Sequence, residues 1–187
     1  MSGPEQRLCD ALGLDALIIR LAGQILDGRT AGVPLALVGV RSRGVPLAER
    51  IAIQLRRETG DAVPVGALDI TLYRDDMERA RRWPVLQGTD IPFAVDGVEV
   101  ILVDDVLHTG RTVRAALNAI CDLGRPACIR LAIAVDRGGR ELPIQPDAVG
   151  LVVVAAPGAR VHVRIAPVDA VEEVVRISAP KAGEVRA

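Results

Sequence analysis

The sequence predicts an α/β fold, a central and mainly parallel sheet flanked by helices, and three observations carry that prediction. Leu35 to Val40, Val98 to Val103 and Ile129 to Val135 are nearly continuous apolar runs of strand length. Runs without polar alternation mark strands covered on both faces, as parallel strands are. Segments with helical apolar spacing alternate with these runs, which is the βαβ pattern. Third, Tyr73, Trp83 and Phe93 are the only aromatic residues, so the core is packed from Val, Leu, Ile and Ala.

Element by element, Leu8 to Asp27 places Leu8, Leu12, Leu17, Ile18, Leu21 and Ile25 at helical spacing, and Gly28 offers a stop. The run Leu35 to Val40 leads into a tight polar loop through Arg41, Ser42, Arg43 and Gly44. Pro46 sits near the first turn of a helix reaching Arg57. Val63 to Leu72 reads as a strand. The stretch from about 73 to 90 is polar and long for a connection inside a compact domain, so it reads as a flexible, functional lid. Val98 to Val103 is the next strand, and Arg111 to Leu123 is a helix closed by Gly124 and Pro126. Ile129 to Val135 follows, then a turn from Asp136 to Arg140. Strands are expected at Val149 to Val154, Val161 to Ile165 and Val174 to Ile177, with a frayed tail after Ser178. There are no internal repeats, and the 187 residues suit one domain spanning the chain.

Composition excludes several classes. The net charge of −1 and a pI near 6.1 give no global footprint for nucleic acid. Cys9, Cys121 and Cys128 lack metal-ligand spacing and are odd in number. With no secretory signal in view, a reduced, cytoplasmic setting is expected. The apolar run Leu151 to Ala156 is strand-sized, far short of a membrane span.

Chemistry concentrates in one motif. The buried run Val100, Ile101, Leu102 and Val103 ends on two acids, Asp104 and Asp105. Val106, Leu107, His108, Thr109, Gly110, Arg111 and Thr112 then lead into a helix. Ligands of open α/β sheets bind outside the carboxyl ends of strands. A helix N-terminus offers unpaired N–H groups and partial positive charge to a phosphate. The spacing and the absent Lys exclude a nucleoside-triphosphate P-loop. Two adjacent carboxylates can accept both hydroxyls of a ribose and help hold Mg²⁺ through water. Phosphate donors at one end and diol acceptors at the other match a ribose 5-phosphate. An Asp helix cap followed by a turn is the plainer reading, but it leaves the paired acids and Thr-Gly-Arg-Thr unexplained.

At this motif the sequence resembles the type I phosphoribosyltransferases. Further segments extend the likeness to the PyrR family, pyrimidine operon attenuators that are also uracil phosphoribosyltransferases. They are LVGVRSRG (Leu37 to Gly44), VGALDITLYRDD (Val65 to Asp76), GTDIPF (Gly88 to Phe93), LGRP (Leu123 to Pro126) and LAIAVDRGGRELPI (Leu131 to Ile144). The resemblance implies a phosphoribosyltransferase fold with a small hood region. It also implies transfer of a phosphoribosyl group from 5-phosphoribosyl diphosphate (PRPP) to uracil, giving UMP and diphosphate, with Mg²⁺ as cofactor. Donor binding would fall to Ser42, Arg43 and Val100 to Thr112, with Ser42 and Arg43 in the diphosphate loop. Asp104, Asp105 and Arg74 would be the catalytic residues, Asp104 and Asp105 holding the metal mostly through water. Arg137 would lie in the base pocket. A homodimer or tetramer is implied as well.

The family's second partner, a pyrimidine-operon mRNA leader, is where this chain departs. Gly23 and Gly139 stand where the family commonly has His, Gln145 replaces an Arg, and Leu151 a Lys. RNA contacts rest on Lys and Arg, so the basic face shrinks to residues such as Arg20, Arg137 and Arg140. His108 replaces the usual Tyr. Three functions therefore stay open: a uracil phosphoribosyltransferase, a UMP-responsive RNA-binding attenuator with little catalysis, and a phosphoribosyltransferase for another base.

Overall fold

The computed structural model describes residues 4–73 and 88–178. The central sheet is fully parallel, in the order β3 (Val65–Leu68), β2 (Leu35–Val40), β4 (Glu99–Leu107), β5 (Cys128–Asp136) and β6 (Ala148–Val152). A separate antiparallel sheet, the hood, is ordered β1 (Glu5–Cys9), β8 (Glu173–Ile177) and β7 (Arg160–Arg164). Three helices complete the described residues: α1 (Ala11–Gly28), α2 (Gly44–Thr59) and α3 (Arg111–Leu123).

Strand periodicity explains the layering. Along β2, β4 and β5, Leu35, Leu37, Ile101, Val103, Ala132 and Ala134 turn to one face and join Leu14, Leu21, Leu47 and Ile51 of α1 and α2. The alternate residues Val38, Val40, Val100, Leu102, Leu131 and Ile133 turn to the other face and join Val113, Ala116 and Ile120 of α3. Successive strand residues point to opposite faces, so an all-apolar run fills two cores at once. That is why these strands show no alternation.

Four expected boundaries are corrected by the structure. The helix expected from Leu8 begins at Ala11, because Glu5–Cys9 pairs with β8 and the Asp10 side chain caps α1 by accepting the Gly13 N–H at 3.0 Å. The strand expected over Val63 to Leu72 covers only Val65–Leu68. Beyond it the Asp69 carboxylate takes the Thr71 N–H at 2.9 Å and turns the chain into a 3-10 turn at Thr71–Tyr73. The strand expected to end at Val103 continues through both acids to Leu107. The strand expected up to Val154 ends at Val152, with Val152 and Val154 exposed and Val153 buried. Most of the expected lid, and the expected frayed tail, lie outside the described residues. No helix among the described residues is long and apolar enough to cross a membrane.

The free edge at β6 is blunted by α1. Gln24 donates to Val149 O and accepts from Val149 N, both at 3.0 Å, as a neighbouring strand would. Arg20 adds a 2.9 Å bond to Gly150 O. An edge so occupied is closed to strand addition at that point.

Candidate functional site

The chain leaves β2 for β3 on one side of the sheet, whereas β4 passes to β5 and β6 on the other. This reversal opens a crevice between the carboxyl ends of β2 and β4, the place where open α/β sheets bind ligands. A cavity of about 270 Å³ lies there. The loop after β2 contributes Arg41, Ser42 and Arg43, the segment after β3 adds Asp69 to Thr71, β4 adds Asp104 to Val106, and α3 adds Thr112.

Each wall has a local cause. The Arg41–Ser42 peptide is cis, within the loop that carries the chain from β2 into α2. Gly44 opens α2 in close contact with β4, where a Cβ would stand 2.4 Å from Val103 O. Only glycine lets the loop lie this near the acids. Asp104 is 7% exposed; its Oδ1 accepts the Asp105 N–H at 2.9 Å, and Asp105 Oδ1 accepts the Val106 N–H at 2.8 Å. Burial pushes the Asp105 carboxyl above the ordinary carboxylate value, against the lowering pull of the Val106 N–H and the Arg43 guanidinium. Val100 to Val103 and Leu107 are buried scaffold.

The residues expected to bind donor therefore divide. Ser42, Arg43, Asp104, Asp105, Val106 and Thr112 meet around one cavity. His108, Thr109 and Gly110 form the adjoining loop and Arg111 opens α3, which Gly110 (φ 92°) caps with its carbonyl accepting the Arg114 N–H. That loop is tied to the segment after β5. The Glu141 and Leu142 N–H groups both reach Thr109 O at 3.0 and 3.1 Å, and Arg111 pairs with Glu141 at 2.8 Å. Arg137 donates its backbone N–H to Leu107 O, and its Nε is buried with no hydrogen-bond partner among the described residues. Arg74 lies outside the described residues.

Two features escaped the sequence. Asp69 is a cavity residue, and its carboxylate holds the Thr71 and Gly88 N–H groups at 2.9 and 3.1 Å. Arg41 reinforces this with a 2.8 Å bond to Gly88 O. Asp69 was signalled only by its place one residue past a strand end. The other is Asp169, which takes Arg43 through both oxygens, Nε at 2.9 Å and Nη2 at 2.8 Å. No local pattern announces a partner 126 residues away.

Of the cations expected to form a residual basic patch, Arg140 is committed inward. It donates to Asp136 at 2.7 Å, Ile144 O at 3.0 Å and His108 O at 3.2 Å. Burial raises the Asp136 carboxyl, but Arg140 and the Gly138 N–H outweigh it and leave the carboxyl below its ordinary value.

A phosphoribosyl transferase domain model matches residues 8–166. The chain belongs to the phosphoribosyltransferase family. Within that family it is 49% identical to the bifunctional protein PyrR of Pelotomaculum thermopropionicum over 175 residues, covering 94% of this chain and 97% of the relative. It is 52% identical to the PyrR protein of Chloroflexus aurantiacus over 174 residues, covering 92% and 95%. The hypoxanthine phosphoribosyltransferase of Trypanosoma cruzi superposes with a TM-score of 0.67 at 18% identity, covering 94% of this chain and 97% of that one. That likeness is one of fold. It agrees with the five-stranded parallel sheet and hood described above, and the relatives place the chain in the PyrR branch of the family.

Proposed function

We propose that this protein transfers the phosphoribosyl group of PRPP to uracil, giving UMP and diphosphate. The observation that carries the reading is the cavity at the β2–β4 crevice. It gathers the Arg41–Arg43 loop, the Asp104–Asp105 pair and Thr112 of the α3 N-terminus around one space. Family membership and the PyrR relatives supply the substrate class.

In this reading the helix end and the Thr112 hydroxyl receive the 5′-phosphate, and the two carboxylates accept the ribose hydroxyls. The loop N–H groups of Ser42 and Arg43, with Arg74, meet the diphosphate. The C1′–O bond to diphosphate breaks as the C1′–N1 bond to uracil forms, and N1 loses its proton. Charge develops on the departing diphosphate, so positioned cations and dipoles carry most of the rate. The buried Arg137 Nε, without a hydrogen-bond partner among the described residues, suits an oxygen of the base. Asp104 and Asp105 suit Mg²⁺, which binds to one or two carboxylates plus substrate phosphates rather than in an all-protein cage. Both carboxylates line the cavity together with the Arg41–Arg43 loop expected to take the diphosphate. When bound, Mg²⁺ supplies neutralising charge to the diphosphate. We place the reaction in the cytoplasm and in a homodimer or tetramer.

The RNA-binding reading is second. Lost cations at 23, 139, 145 and 151 and the inward commitment of Arg140 argue against a strong basic face. Titrating a pyrimidine-operon leader RNA with and without UMP separates it from catalysis alone.

Asp104→Asn with Asp105→Asn is expected to cut turnover at least about 100-fold with an unchanged circular dichroism spectrum. Undiminished turnover overturns the donor site. Wild-type enzyme assayed with uracil, hypoxanthine, guanine and orotate is expected to use uracil; preference for a purine overturns the base assignment.

A further inference from the structure

The segment Ile165 to Glu172, between β7 and β8 of the hood, is fastened to the first turns of α2. Asp169 grips Arg43 with both carboxylate oxygens, and its backbone N–H bonds to Ile165 O at 2.9 Å while Oδ2 also accepts the Ile165 N–H at 3.0 Å. Two turns along α2, Arg50 Nη1 pairs with Glu172 at 2.9 Å. The Arg43 and Asp169 side chains are 34% and 18% exposed, so the pair is shielded more than a surface salt bridge. A bidentate Arg–carboxylate fork fixes angle as well as distance.

Arg43 is also the residue at which the cavity loop becomes α2. Its Nε and Nη2, the edge with which an Arg grips a flat anion, are both taken by Asp169. Its charge still reaches Asp105, whose carboxyl it helps to lower. Arg43 therefore stands between the acid pair and the hood, held from the hood side.

We infer that Asp169 is a positioning residue for the diphosphate end of the donor. It acts through Arg43, setting the orientation of the Arg41–Arg43 loop that lines the cavity. The inference rests on the donor site proposed above. It makes the hood part of the donor site without any hood side chain touching the donor. A loop displaced by a fraction of an ångström misaims its N–H groups, and losses from such misplacement reach tenfold or more.

The test uses the full chain. PRPP and inorganic diphosphate are titrated by calorimetry into wild type, Asp169→Ala, Asp169→Asn, Arg43→Ala and the Asp169→Ala/Arg43→Ala pair, with steady-state KM measured for PRPP and uracil. Asp169→Ala is expected to weaken both diphosphate-bearing ligands about tenfold and to raise KM for PRPP in step, with KM for uracil within about twofold. Asp169→Asn, which keeps an acceptor but no charge, falls between. The double variant is expected to resemble the worse single variant, because both remove one linkage. PRPP binding at the wild-type level in Asp169→Ala overturns the positioning role alone. So does an equal rise in both KM values, which marks a merely structural pair, and so does strict additivity, which marks Arg43 as an independent ligand. A wild-type chain that binds no PRPP overturns the donor site and the positioning role together.

Discussion

His108 and Gly139 make one structural unit, although 31 positions separate them in the sequence. His108 Nδ1 lies 2.9 Å from Gly138 O; a carbonyl only accepts, so Nδ1 carries a proton in this contact. The ring lies against Gly139, where a Cβ would meet Cε1 at 2.7 Å and Nδ1 at 2.9 Å. Gly139 also has φ of 79°, a conformation L side chains rarely adopt. The two residues are therefore in contact, and one accommodates the other. Gly139→Ala is expected to cost about 1–3 kcal/mol through backbone strain together with the clash against the His108 ring, and to raise KM for PRPP by displacing the loop that leads into α3. Adding His108→Ala removes the ring, so the double variant should recover part of the loss, a coupling of at least about 0.5 kcal/mol. Urea unfolding of the four proteins measures it. Strictly additive losses would show that ring and turn do not bear on one another.

At the scale of elements, β2, α2, α3 and β5 were legible because each carries its own pattern, an apolar run or a helical stripe bounded by Gly or Pro. The carboxyl end of β4 was not. Acids are poor strand formers, so the sequence suggests a stop at Val103, yet the ladder with β5 pairs Asp104 with Ile133, Val106 with Val135 and Leu107 with Asp136. The apolar neighbour strand carries the acids inward, and their burial follows from that pairing. β1 was missed for a related reason. Glu5–Cys9 has no apolar alternation, and it is a strand only because β8 lies alongside. The acid pair and the Arg41–Arg43 loop could be read as a site because they are contiguous motifs, whereas Asp169 could not. The amino end of β4 hides a further surprise in Glu99, which is 0% exposed. Arg130 Nε on β5 stands 2.9 Å from its Oε1, and the Thr30 N–H bonds Oε2 at 2.8 Å. The Arg130 contact is close but poorly aligned as a hydrogen bond, so its value is chiefly charge. Arg130→Met leaves that carboxylate buried without its counter-ion and is expected to destabilise by about 3 kcal/mol, read as a lowered urea midpoint. Because this pair lies at the end of the sheet away from the cavity, KM for PRPP should stay within about twofold. A large KM change would show that β4 transmits strain along its length.

For the molecule as a whole, pH sets carboxyl groups shifted in opposite directions against one another. Arg43 beside Asp169 holds that carboxyl below its ordinary value of 3.8, and Asp136 is held down too, since Arg140 and the Gly138 N–H outweigh its burial. A depressed carboxylate contributes stability that is fully present above the ordinary value and is lost as pH falls through the folded-state value. The Arg43–Asp169 pair joins the hood to α2, and the local Asp136–Arg140 pair steadies an arginine that also bonds His108 O before α3, so acid loosens the walls of the donor site along with the fold. Asp105 works the other way. Burial raises its folded-state value above 3.8, so the folded form binds the proton more tightly than the unfolded one. Stability then falls as pH rises from about 3.8 through the raised value, and the ionised carboxylate remains a cost at neutral pH. Asp105→Asn keeps an oxygen for the Val106 N–H but carries no charge to desolvate. It is expected to raise Tm at pH 7 while greatly reducing turnover, the exchange of stability for function typical of a charged active site. The gain should shrink as pH falls, because wild-type Asp105 then takes up a proton and becomes neutral itself. Thermal unfolding of wild type and Asp105→Asn at pH 7, 5.5 and 4 reads the difference directly. A gain that is absent at pH 7, or constant across the series, would show that burial of the Asp105 charge is not what the fold bears in order to hold its donor.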